Sequence, residues 1–247
     1  MPNIIVLFGA VQGFTLCLYL ATQKHENRVA FRYYILFLFC LSFFNLRYAL
    51  LYWGVENIGP VPLASFPLPY KYLIGLGFYF YIKSLIVDRQ RAFSKWEYLL
   101  FLPAFLYGCL RLYWYILLHT GIDKDIFWRV YQSGFFSYSD GTYLSLNLVL
   151  MCFALRFLKR KRAFIKGSVN IRKNWDWLSK FTYAFIVINV LNLLHQIIAN
   201  VAGLQHSGQF YYLILFLNSI YIYWIGFIGF TKSNLLFRKF QLGSADS

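Results

Sequence analysis

Seven nearly uncharged stretches of about twenty residues follow one another along this chain, and that succession limits its fold more than any other feature. An apolar helix of about 20 residues crosses the roughly 30 Å of hydrocarbon in a bilayer. The stretches fall at 3–22, 30–53, 67–87, 97–118, 141–158, 181–203 and 210–231. Barrel strands would read instead as short alternating segments. With 60% hydrophobic and 13% charged residues over 247 positions, a water-soluble domain is disfavoured as well. The opening "MPNIIVLFGAVQGF" has neither a basic leader nor a small-residue cleavage pattern, so it reads as a retained helix. The expected fold is all-α: a polytopic seven-helix membrane bundle over 1–233 and a tail over 234–247. No loop is long enough for a soluble domain, and no internal repeat is visible.

Charge gives the orientation. The loops 21–32, 83–97 and 156–180 share a side with the chain from 232 onward, and they hold all but five of the 24 Lys and Arg residues. Short cytoplasmic loops carry that excess, so the N-terminus is expected outside and the C-terminus in the cytoplasm. Lys71, Lys124 and Arg129 are assigned to the outer loops, while Arg47 and Arg111 fall within spans. A formal charge of +15, with most of the basic residues on one membrane side, points to anionic lipid rather than nucleic acid. Lys83, in "GLGFYFYIKSLIVDRQR", reads as an inner anchor whose ammonium reaches the headgroups. Gly75 and Gly77, just before it, admit a close helix neighbour.

Polar residues inside spans carry the functional signal. A charge at the bilayer centre costs several kcal/mol, about 2.5 to 3.5 on insertion scales. Arg47 and Arg111 lie about two turns from the outer ends of their helices, at a shared depth with Asn45, Tyr48, Glu56, Tyr113, Tyr115 and His119. They either position helices through local pairing or line an outward pocket for an acidic or polar ligand, since guanidinium grips carboxylate and phosphate in a bidentate manner. In the sixth span, Asn189, Asn192, Gln196 and Asn200 recur at spacings of three and four with His195 beside them, a polar stripe that must face the bundle. The stripe is either interhelical glue or the wall of a site.

Other chemistries find little support. The cysteines Cys17, Cys40, Cys109 and Cys152 lie inside spans with no ligand spacing and read as small hydrophobes. No metal motif occurs, so no cofactor is expected. Asp140, Glu56 and His119 are acid or base groups at the outer rim, but nothing sets a nucleophile beside a base, and the chain is not expected to be an enzyme.

The segments "GAVQGFTLCLYL", "FYFYIKSL", "YLLFLPAFLYG" and "YYLILFLNSIYIYWIGFIGFTKS" resemble the multi-pass membrane region that precedes an AraC-type DNA-binding domain in bacterial regulators. The resemblance covers nearly all of 3–233. It implies an inner-membrane sensor that signals to a cytoplasmic output domain or partner, usually as a dimer. No helix-turn-helix follows "FRKFQLGSADS", so direct nucleic-acid binding by these residues is not expected. The sequence reading is thus a receptor module with Arg47, Arg111, Asn192, His195 and Gln196 at its ligand site, and membrane lipids and an unknown small ligand as partners. Its rivals are a small-solute transporter and a structural membrane subunit.

Overall fold

The apolar runs are α-helices packed side by side in the computed structural model, which describes residues 2–23, 27–52, 66–86, 95–161, 169–201 and 208–231. In chain order these are α1 (Pro2–Thr22), α2 (Arg28–Tyr52), α3 (Tyr70–Ile86), a 3-10 turn (Lys95–Phe101), α4 (Leu102–His119), α5 (Ile126–Gln132), α6 (Phe135–Lys161), α7 (Val169–Val201) and α8 (Gly208–Thr231). The chain is an all-α, multi-pass membrane bundle. Among the described residues six helices have the length and apolarity to cross a bilayer: α1, α2, α4 with its 3-10 lead-in, α6, α7 and α8.

The remaining long helix, α3, has 17 residues and is buried along nearly its whole length. At 1.5 Å per residue it spans about 25 Å. Its neighbours α2, α4 and α6 shield it, so it has little lipid of its own to match. Two glycines permit this central position. A side chain on Gly75 would drive into Asn147 of α6, and a Cβ on Gly77 would stand 2.8 Å from the backbone nitrogen of Phe37 on α2.

Local chemistry sets the helix ends. Asn27 caps α2 by accepting from the Ala30 N–H (3.0 Å). Its amide also donates 2.9 Å to the Ser84 carbonyl, satisfying an acceptor near the C-terminus of α3. Pro103 in the first turn starts α4. Gly121, at φ 74°, supplies the left-handed residue that ends it.

The helices extend beyond the expected spans at three places. The fifth span begins at Phe135 rather than 141, because Ser137, Ser139 and Asp140 find partners on neighbouring helices instead of water. The 156–180 loop is largely helical where it is described: α6 runs to Lys161, and α7 starts at Val169 rather than 181, with Trp175 and Leu178 in the core. Within the expected outer loop 119–140, Ile126–Gln132 forms the short helix α5. The proline-rich stretch with Glu56, the turn after α7 and the tail lie outside the described residues.

For orientation, "upper" denotes the end that holds the C-termini of α2, α4 and α7 and the N-termini of α3, α6 and α8. Below it, aromatic rings fill the space between α2, α3, α7 and α8. Phe37 meets Phe78 at 5.2 Å and Phe185 at 5.3 Å, and Tyr221 stacks on Phe181 at 4.8 Å and Phe185 at 5.1 Å. At the lower end Lys83 pairs with Glu97 of the 3-10 turn. The lysine, expected to extend its ammonium to the headgroups, has a carboxylate within reach and ties α3 to the approach to α4.

Candidate functional site

The upper end concentrates buried charge. On α2, Arg47 donates 2.6 Å to the Tyr70 hydroxyl at the start of α3, with its guanidinium over the rings of Tyr48 (5.7 Å) and Tyr70 (6.0 Å). Arg111 of α4, only 3% exposed, donates 3.2 Å to the Phe66 carbonyl and lies 5.1 Å from the ring of Phe127 and 5.8 Å from that of Phe136. The groups they bond are neighbours, since Phe43 packs on both Tyr70 (5.0 Å) and Phe66 (6.0 Å). The two arginines, expected at one depth, thus bond to neighbouring groups at the upper end. Tyr113 and His119, expected beside them, point outward on the exposed face of α4, and Asn45 lies lower, bonded to Ser219 of α8 at 3.1 Å.

A second charged pair adjoins the first. Lys71, in the first turn of α3, makes a 2.6 Å ion pair with Asp140 of α6, and their side chains are 7% and 14% exposed. This overturns the assignment of Lys71 to an outer loop: helix α3 begins one residue before it and turns the ammonium inward. Its charge faces the rings of Tyr143 (5.2 Å) and Tyr48 (5.6 Å), where ring quadrupoles attract a cation. Asn147 fixes the register of α6 on α3 by accepting from the Gly75 N–H (3.1 Å) and donating to the Lys71 carbonyl (3.5 Å). Tyr72 and Ser139 add a hydroxyl contact of 3.2 Å across the same seam.

The α7 stripe divides. Gln196 donates 2.9 Å to Ser137 Oγ on α6, which donates 2.7 Å to Asn200 Oδ1, and these bonds form an α6–α7 clasp. Asn189 turns back to its own helix, donating 2.9 Å to the Phe185 carbonyl. His195 is buried with its ring 5.7 Å from Tyr211 of α8, whose ring lies 4.9 Å from Tyr48. Thus His195 connects through two phenols to Lys71 and Arg47, while Asn192 is buried one turn below it.

Lys71, Asp140, Tyr70 and Tyr143 were not among the sequence candidates for the site. The signal available was depth: a lysine just inside one helix start and an aspartate just inside another, on the same side of the membrane, in helices that become neighbours. Comparison of the chain with protein-family models, with curated proteins and with solved structures gives no match.

Proposed function

We propose that this chain is a membrane-embedded sensor that takes an acidic ligand at Arg47 and Arg111 from the outer half of the bilayer and signals to a cytoplasmic partner or output domain. The proposed topology is seven spans in a bacterial inner membrane, α3 included, with the upper end outside. The distribution of Lys and Arg and the resemblance to AraC-linked membrane regions support that topology.

One observation carries the reading: two guanidiniums from different helices, Arg47 half-buried and Arg111 buried, bond to Tyr70 and Phe66, whose rings both pack on Phe43. Like charges in low dielectric raise each other's cost, and an anion accepting bidentate hydrogen bonds offsets it. Asn192, His195 and Gln196 form the α7 wall of the site. Asp140, which already neutralises Lys71, links the ligand to α6, a helix running from the site to the basic lower loop. A ligand that prefers one arrangement of that ion pair biases the position of α6, as a two-state signal requires. The stacked rings of Phe37, Phe181, Phe185 and Tyr221 below the site support a sensor over a transporter, because they interrupt a polar path.

The test uses the full chain in nanodiscs and a panel of anions from acetate and inorganic phosphate to palmitate. At least one anion is expected to raise the unfolding temperature with a saturating dependence on concentration. Arg47→Met and Arg111→Met are expected to remove that shift. Equal shifts in wild type and both variants, or saturable uptake of the anion into liposomes, would overturn the sensor reading.

A further inference from the structure

The flank of the bundle beneath the two arginines bears a single file of phenyl rings. Phe14 of α1 meets Phe39 of α2 edge-on at 5.4 Å, Phe39 stacks on Phe43 at 6.3 Å, and Phe43 lies 6.0 Å from Phe66. Phe39 and Phe66 are 39% and 41% exposed toward the bilayer, while Phe43 lies buried beneath and between them. It ends at the charges. The Phe66 carbonyl accepts from Arg111, and Phe43 packs at 5.0 Å on Tyr70, the hydroxyl that accepts from Arg47. Phe39, Phe43 and Arg47 follow at spacings of four along α2, so rings and cation share one ridge about 12 Å long.

Resting on the anion site described above, we infer that its ligand is a long-chain carboxylate lying in the bilayer, with its head between Arg47 and Arg111 and its chain over the exposed rings of Phe66 and Phe39, which Phe43 backs from beneath. Two features select this occupant. The rings follow one another from the flank of the bundle to the arginines, a run that a single chain can follow. Arg47 and Arg111 also lie five and eight residues inside the ends of their helices, about 8 and 12 Å below them. A carboxylate is small enough to be drawn to that depth, whereas a glycerophospholipid head is bulky and held at the interface. From above, Phe127 and Phe136 stand against Arg111, which favours approach from the side over approach from water. The bilayer also concentrates an amphiphile at the depth of the site, so its advantage over a soluble carboxylate arises from effective concentration as well as contact.

The experiment measures unfolding temperature and bound mass by native mass spectrometry for the full chain in nanodiscs, titrated with palmitate, hexanoate, acetate, inorganic phosphate or phosphatidylglycerol. Palmitate is expected to half-saturate at a total concentration about tenfold or more below hexanoate. Arg47→Met is expected to abolish the palmitate adduct. Phe39→Ala, which alters a partly exposed ring eight residues below Arg47 on α2, is expected to bind palmitate several-fold more weakly while responding to acetate as wild type does. If acetate or phosphate matches palmitate, or the ring variant binds palmitate unchanged, the chain-binding inference falls and the anion site stands. If phosphatidylglycerol displaces palmitate at equal mole fraction, the ligand is a phospholipid and the inference is overturned. If no anion binds, both readings fall together.

Discussion

The bundle is held in two different ways along its length. In the middle and lower parts, contacts between α2, α3, α7 and α8 are ring against ring, as where Phe37 meets Phe78 and Phe185. At the upper end the helices meet through an ion pair, two guanidiniums, phenol hydroxyls and a buried carboxamide. Lipid tails are as apolar as phenylalanine, so aromatic packing in a membrane gains from close fit rather than from expelling water. It admits few alternative arrangements. Charged groups are costly to hold in hydrocarbon and have discrete alternative partners. On the proposed reading, rigidity resides in the rings and responsiveness in the charges.

The largest expected effect tests the charged end. Asp140→Ala strands Lys71 and should lower stability by about 3 to 5 kcal/mol, measured as a shift in the denaturant midpoint of the purified protein in mixed micelles. Lys71→Met combined with Asp140→Leu should regain most of that loss, because no isolated charge remains. A double variant as unstable as the single one would mean that the pair is not the organising contact. For the rings, Phe37→Ala should cost about 3 kcal/mol through the cavity it opens among Phe78, Phe181 and Phe185. Its anion response, measured at matched distance below its own unfolding temperature, should equal that of wild type. A lost response would spread the responsive region into the lower half. Gly77→Ala should cost about 2 kcal/mol, because a Cβ there meets the Phe37 backbone and neither helix yields easily.

The two regions differed equally in how far the sequence disclosed them. The rings lie in long apolar runs of the kind that helices in a membrane satisfy, so the multi-pass helical bundle was legible from hydropathy, while six rather than seven of the described helices meet the length and apolarity of a span. Gly75 and Gly77 likewise announced close approach, and Asn147 and Phe37 supply it. The charged end was half legible. Arg47 and Arg111 stood out because a charge inside a span is rare. Lys71 and Asp140 did not, because each sits at a helix start, where sequence alone cannot distinguish a side chain turned to water from one turned to a neighbour. Their pairing depends on α3 lying beside α6, a tertiary fact with no periodic trace. The same limit hid Lys83 and Glu97, separated by a loop but joined at the lower end.

The smallest expected effect bears on the α7 stripe, whose two readings remained open in the sequence. Gln196 commits its amide nitrogen to Ser137 Oγ, and Ser137 retains Asn200 as a second partner when that bond is lost. Gln196→Leu preserves most of the side-chain volume, so no large cavity adds to the cost. Polar contacts between membrane helices are worth about 0.6 kcal/mol on average and at most about 1.7. The variant should therefore lose about 1 kcal/mol and keep most of its anion-dependent stabilisation, since a wall residue contributes shape more than charge. A variant that keeps its stability but loses the anion response as fully as Arg47→Met would assign Gln196 directly to the ligand. The responsive region would then extend from the charges onto α7, and the α6–α7 clasp would be the contact that ligand binding rearranges.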